Sequence, residues 1–367
     1  KSTSANPLQF SQMVARTRNI KTLHYYIEEH NTPLDFDTVD DVEAYFEDMT
    51  THYDETVKAC DDEADVFFEK KDLKKMKKTG VLLIQLGTPD SPKTNDVRRY
   101  LSEFLNDPRV IDLPWLGRKL LVNGIIVPFR APKSAKIYKE LWEFGNGVSP
   151  LITHTENVRA KLQERLANQN ITVHAAMRYQ NPSMYDVTEV MRHENYDHII
   201  VIPLFPQYAS ASTGSALELA MTLIKKWWVV PELSFVNQFY DSEGYIDSIV
   251  ERAKEFDIAS YDHILFSYHG LPERQVDKVY EADDLCTDQP CESEINEKNK
   301  FCYKATCYAT TRLLVEKLGI KEGDYTVCFQ SRLDKKWLTP FSDKIVEEQG
   351  RKGAKRLLAF SPAFVAD

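Results

Sequence analysis

The sequence predicts an α/β protein whose parallel sheets are covered on both faces by helices. Three observations carry the prediction. From Gly80 onward, short continuous apolar runs alternate with longer amphipathic stretches. Runs without in–out alternation suit strands buried on both faces, which is the parallel arrangement. Seven such runs over about 290 residues suffice for two smaller sheets rather than one broad one. Residues 1–78 stand outside this pattern.

Taken in order, that first stretch reads as an acidic helical extension. Thr38-Val39-Asp40-Asp41 offers a hydroxyl cap followed by acids in a first turn, and Val42, Tyr45 and Phe46 recur at helical spacing. A second candidate helix, 54–70, carries Val66, Phe67 and Phe68 near its end. Between Glu28 and Glu69 sixteen acidic residues face one lysine, Lys58. Solubility accounts for such a surface, and attraction of cations or a basic partner is the other reading. A lysine-rich linker, from Lys70 to Lys78, closes the stretch.

The expected strands beyond it are 81–85, 171–177, 198–204, 233–238, 263–268, 325–330 and 356–360. The helices between them fall at 157–168, 185–194, 215–228, 245–255, 305–317 and 340–349. The domain division that follows is 1–78 as extension, 79–240 as a first domain completed by 350–367, and 241–349 as a second domain. Sites in such folds lie beyond the carboxyl ends of the strands.

Composition narrows the function. The chain has 367 residues, 43% of them hydrophobic and 28% charged, with a net charge of −10. An acidic chain is a poor generic partner for nucleic acid, whose phosphates are bound by Lys and Arg. No run of about 18 apolar residues exists to span a membrane. The beginning lacks a basic–apolar–small secretory pattern, so a cytoplasmic location is expected. Neither GxxxxGK[ST] nor a dinucleotide fingerprint is present, and Gly145-Asn146-Gly147 reads as a turn.

Polar clusters follow several strands. Gly87-Thr88-Pro89-Asp90-Ser91-Pro92 permits a sharp exit from the sheet, and an ordinary turn is the plainer reading. Arg178-Tyr179 ends the second strand, where a guanidinium and a phenol suit a carboxylate or a flat ring, or a surface salt bridge. The hydroxyl-rich stretch 203–215, which includes Ser210, suits a flat, partly apolar ligand or serves as a helix cap. Phe266-Ser267-Tyr268-His269-Gly270-Leu271-Pro272-Glu273-Arg274 is the strongest cluster. His269 closes an apolar strand, and its imidazole can take a proton near neutral pH or ligate a metal.

The chain holds six cysteines, four of them crowded into 286–307 with spacing C-x4-C-x10-C-x4-C. Cys286, Cys291, Cys302 and Cys307 can converge on one centre without long-range folding. Zinc, an iron–sulfur cluster and free or paired thiols are the three readings, and the spacing departs from the commonest zinc pattern. Cys328, inside the strand expected at 325–330, is read as a buried small hydrophobe, and Cys60 as inert.

In order along 80–367, these strings resemble the ferrochelatase family: 82–92, Arg178-Tyr179, 203–215, 266–273, Gln330-Ser331-Arg332 with Trp337-Leu338-Thr339-Pro340, and 361–367. The resemblance implies two Rossmann-like domains with parallel sheets flanked by helices, a porphyrin in the cleft between them, and insertion of ferrous iron to make haem. It places His269 at the macrocycle as proton acceptor and iron-site residue, and Leu86 on the opposite face. Ser149, Arg178, Tyr179 and Ser210 would line the cleft, and Arg178 or Arg274 would pair with a propionate. The apolar stretch 113–130 resembles the family's lip over the cleft mouth, where peripheral membrane contact and packing against the second half of the cleft are equally good readings. A cysteine-rich insertion at 285–307 resembles that of bacterial members holding a 2Fe–2S cluster. The family's second metal-site carboxylate is expected beyond Asp367. A cobalt or nickel chelatase of the same fold, and a non-catalytic haem carrier or iron–sulfur sensor, are the alternative functions.

Overall fold

The structure is a computed structural model and describes residues 77–280, 284–332, 334–363 and 365. The helices expected at 38–46 and 54–70 lie outside the described residues.

The chain runs β1 (Thr79–Gly87), α1 (Thr94–Leu105), a short helix Trp115–Lys119 and a π-helical stretch Leu120–Ile126 leading into α2 (Val127–Phe144), then α3 (Pro150–Arg165), β2 (Ile171–Tyr179), α4 (Met184–His193) and β3 (His198–Pro203). It continues through α5 (Ser215–Ile224), β4 (Glu232–Phe235), α6 (Glu243–Ala253), β5 (His263–His269), α7 (Glu273–Val276), α8 (Tyr303–Leu318), β6 (Tyr325–Gln330), α9 (Ser342–Arg351) and β7 (Leu357–Phe360). All seven expected strands form, 325–330 with its expected bounds and the others with one or both ends shifted.

The chain divides into two compact units. The first takes the described residues up to Asp90, with Gly145–Ile202 and Leu217–Val236. Its sheet has the order β2-β1-β3-β4, with β1 parallel to β2 and β3 parallel to β4. Val81, Leu82, Leu83 and Ile84 are buried on both faces of β1, which explains their unbroken apolar run. Helices α3 and α4 pack against β2. Ser183 caps α4, its Oγ accepting from the Asp186 amide at 3.1 Å.

The second unit takes Ser91–Phe144, Pro203–Ala216 and the described residues from Asn237 on. Its sheet has the order β6-β5-β7, and β5 is parallel to both neighbours. Side chains alternate across β5. Ile264, Phe266 and Tyr268 enter the larger core with Val327, Phe329 and Leu314, while Leu265 packs with Cys328 and Ile345. Phe266 stacks on Phe360 with centroids 5.5 Å apart. Gly319 stops α8 in the left-handed region at φ 66°, where glycine pays no Cβ penalty.

This arrangement corrects the sequence-based division. Residues 350–367 were expected to complete the first domain, but β7 pairs with β5 from His263↔Leu357 to Phe266↔Phe360. The central strand β5 is apolar on both faces, and β7 supplies its second edge partner. Residues 91–144 also group with the second unit rather than the first.

Candidate active site and thiol centre

In the first unit, the carboxyl ends of β1 and β2 lie side by side, Gly87 opposite Tyr179. Gly87 has φ +112°, and a Cβ there would lie 2.0 Å from Tyr179 O. Only glycine permits this approach. Leu86, the preceding residue, is half-buried. Ser149 Oγ donates to Thr88 Oγ1 at 3.3 Å. The Arg178 guanidinium lies over the Tyr179 ring, 4.5 Å from its centroid. Asn181 Nδ2 donates to Asp90 Oδ1 at 2.9 Å and ties the loops after the two strands together. Four sequence-derived residues, Leu86, Ser149, Arg178 and Tyr179, therefore belong to one strand-end cluster. Ser149 and Tyr179 are buried within it.

In the second unit, His269 closes β5 opposite Gln330. Its Nδ1 lies 2.7 Å from Gly270 O, and a carbonyl only accepts, so Nδ1 carries the hydrogen. Nε2 is therefore the unprotonated ring nitrogen. Burial pushes the pKa of His269 below the ordinary value of 6.5, so the imidazole is neutral at pH 7. The turn after it is tightly braced. Gly270 N donates to Gln330 O at 2.7 Å, Leu338 N to Leu271 O at 2.9 Å, and Glu273 N to Lys336 O at 3.0 Å. A Cβ on Gly270 would lie 2.7 Å from Gln330 O and 3.4 Å from the Trp337 ring. Gln330, Lys336, Trp337 and Leu338 thus buttress the His269 turn.

Ser210 begins a π-helical turn, Ser210–Gly214, and its Oγ accepts from Arg109 Nη1 at 2.9 Å. Both line a cavity of about 400 Å³ with Tyr208, Leu271, Val276 and Tyr303. Arg274 and Lys278 pair with Asp112, Lys278 at 2.6 Å, and hold the Asp112 carboxyl far below the usual carboxylate range. Arg109 and Asp112 were not singled out in the sequence. They sit in an ordinary-looking loop, and nothing local marks them.

The thiols gather in part. Cys286 Sγ lies 3.5 Å from Cys302 and 3.8 Å from Cys291, and Cys291 lies 3.8 Å from Cys302. All three are buried, and none is in a disulfide. Hydrogen bonds from its two neighbours hold the Cys291 thiol well below the usual thiol range, while the same contacts push Cys286 up. Cys307, in the second turn of α8, is fully buried beside Tyr303 and lies outside the three-thiol group. Soft, buried, converging donors suit zinc or iron. The observed separations match the edge of about 3.8 Å that thiolates span around one tetrahedral metal at about 2.3 Å. A 2Fe–2S cluster sets its four thiolates on two irons, so it calls on Cys307 as well.

Among the described residues, no helix is long and apolar enough to cross a membrane.

A family model described as Ferrochelatase matches residues 78–367. A protein named Ferrochelatase from Legionella pneumophila (strain Corby) is 41% identical over 290 residues, covering 78% of this chain and 85% of its own length. Another of that name, from Coxiella burnetii (strain Dugway 5J108-111), is 40% identical over 300 residues, covering 80% of this chain and 82% of its own length.

Proposed function

The chain belongs to the ferrochelatase family, and we propose that it exchanges the two inner protons of a porphyrin, protoporphyrin IX in the favoured reading, for ferrous iron, with His269 as the proton acceptor. One observation carries the assignment. The Nδ1–H···O=C bond to Gly270 fixes the tautomer, so Nε2 is the basic nitrogen of a buried imidazole whose pKa lies below 6.5, at the carboxyl end of a parallel strand.

The chemistry asks for little else. Two pyrrole hydrogens must leave as the metal enters, and no electron is transferred. A neutral imidazole accepts a proton and passes it to water. A flat aromatic ring resists metal entry, so a site that favours a bent macrocycle lowers the barrier. Leu86, Ser149, Arg178, Tyr179 and Ser210 are assigned as porphyrin contacts. Arg178 is half-buried and carries the charge that suits a propionate. Ferrous iron is the second substrate, with His269 among its ligands.

The cysteine insertion is assigned a 2Fe–2S cluster held by Cys286, Cys291, Cys302 and Cys307. Bound there, it would cross-link the insertion to α8 and take no part in the metallation. A single zinc ion is the second reading, favoured by the 3.5–3.8 Å spacing of three thiols. A coloured protein with two irons and two sulfides supports the cluster. A colourless protein with one zinc supports the ion.

A cytoplasmic location is assigned on the sparse cysteine content, six in 367 residues, which is too few for a disulfide scaffold. Peripheral membrane contact is assigned to the stretch 113–130, where Leu113, Trp115, Leu116, Leu120, Ile125 and Phe129 are exposed.

The test is anaerobic incubation with protoporphyrin IX and Fe2+, following porphyrin absorbance. Many turnovers per chain are expected. Conversion of one equivalent or less would make the protein a carrier. His269→Ala should cost about 10²–10⁴-fold in rate while protoporphyrin IX still binds. Full turnover in that variant removes His269 as the base.

A further inference from the structure

We propose that Asp277 and Tyr280 are positioning residues that tie the arm following His269 to the thiol centre, so that metal bound by Cys286, Cys291 and Cys302 keeps that arm and its cavity wall in place. The inference rests on the reading of these thiols as a metal centre.

The arm starts at Gly270 and continues through α7 and the 3-10 turn Asp277–Val279 to Tyr280. At its root it is held by the 336–338 strand-like loop through Leu271 and Glu273. Along one side it is held by the loop after α1, where Arg274 and Lys278 grip Asp112 and Gln275 Nε2 donates to Val110 O at 3.2 Å. Its far end meets the cysteine insertion. There the Cys286 N–H donates to Asp277 Oδ1 at 2.9 Å, and the Tyr280 hydroxyl lies 3.1 Å from Cys291 Sγ. Either group can donate in this contact, and with Cys291 as a metal-bound thiolate the Tyr280 hydroxyl would be the donor.

The insertion has little backbone structure of its own. Between 284 and 302 the described chain forms one short 3-10 turn, Cys286–Asp288, and no α-helix or strand. Such a stretch lacks a hydrogen-bonded ladder to offset its ordering entropy, and ligation of a metal supplies that order. Both anchors of the arm therefore end on groups that a metal would fix. The cavity wall is shared in the same way. Leu271, Gln275, Val276 and Lys278 come from the arm, while Phe301 and Tyr303 flank Cys302. Coupling of this kind is reciprocal, so loosening the arm must also loosen the metal.

The experiment uses the full-length, metal-loaded protein and the variants Asp277→Ala, Asp277→Asn and Tyr280→Phe. Metal per chain is measured first. Amide hydrogen exchange is then followed in peptides covering 271–280, and protoporphyrin IX affinity is read by fluorescence. Stripping the metal with a chelator should raise exchange in the arm about tenfold and weaken porphyrin binding. Asp277→Ala should raise exchange similarly with metal still bound, and let a chelator take the metal about tenfold more readily, as loss of an outer-shell partner does. Asp277→Asn keeps the accepting oxygen and should restore the parent behaviour. Tyr280→Phe, which removes one hydroxyl without a change of packing, should also weaken metal retention. Arm exchange within twofold of the parent in both the stripped protein and Asp277→Ala overturns the coupling while leaving the centre intact. A parent protein isolated with no metal on these thiols removes the centre, and the proposal falls with it.

Discussion

The imidazole of His269 gives its Nδ1 hydrogen to Gly270 O, and burial sets its pKa below 6.5. Two consequences follow at the level of this residue. The rate of porphyrin metallation should stay flat from pH 8 down past 6.5 and fall only below it, as Nε2 becomes protonated. A pH profile of kcat would show the acid limb displaced downward, and a midpoint above 6.5 would contradict the assignment. Stability carries the same sign. A histidine with a lowered folded pKa binds fewer protons folded than unfolded, so its contribution is whole above the unfolded value and is lost as pH falls through 6.5 toward the folded value. His174 and His263 are also lowered, chiefly by burial, and add to the same slope. Urea unfolding should therefore give a lower midpoint at pH 5.5 than at pH 8, by an amount that the three histidines share.

Among the elements, the meeting of β1 with β2 makes the sharpest prediction. Gly87→Ala would place a methyl 2.0 Å from Tyr179 O at φ +112°. Strain of about 1–3 kcal/mol in the backbone adds to overpacking of about 1–3 kcal/mol. The variant should unfold at markedly lower urea and lose porphyrin binding, because Leu86, Arg178 and Tyr179 all sit on the ends that Gly87 brings together. Unchanged stability would mean that the turn relaxes freely. The strands themselves were legible in the sequence because burial on both faces writes an unbroken apolar run, as in Val81–Ile84. The place of His269 at a strand's carboxyl end was legible because it closes such a run. The sheet that β7 joins was not legible, since the apolar pattern of Leu357–Phe360 says that a strand needs partners but not which ones. The clamp of Arg274 and Lys278 on Asp112 was hidden for a similar reason, its members being 162 and 166 residues apart. Cysteine spacing showed that a cluster of thiols was near at hand. It could not show that Cys307, carried by α8, would stand outside the group of three.

At the scale of the molecule, charge and the matched region separate. The family match covers residues 78–367, and every residue assigned a role lies within it. Residues 77–367 carry 37 Lys and Arg against 39 Asp and Glu, so nearly all of the net charge of −10 comes from the first 76 residues. Net charge governs solubility and encounter with charged partners rather than the fold. A protein comprising 77–367 should therefore keep kcat for iron insertion within about twofold, and precipitate more readily near neutral pH because little net repulsion remains. Steady-state turnover at two ionic strengths, set beside a solubility curve, checks both halves. If the acidic stretch gathers ferrous iron, the shortened protein should instead show a higher KM for Fe2+ at low salt, with the difference closing as salt screens the charge. A fall in kcat that salt leaves untouched would place part of the catalytic machinery in the first 76 residues, against the reading that His269 and its braced turn are the centre of the chemistry.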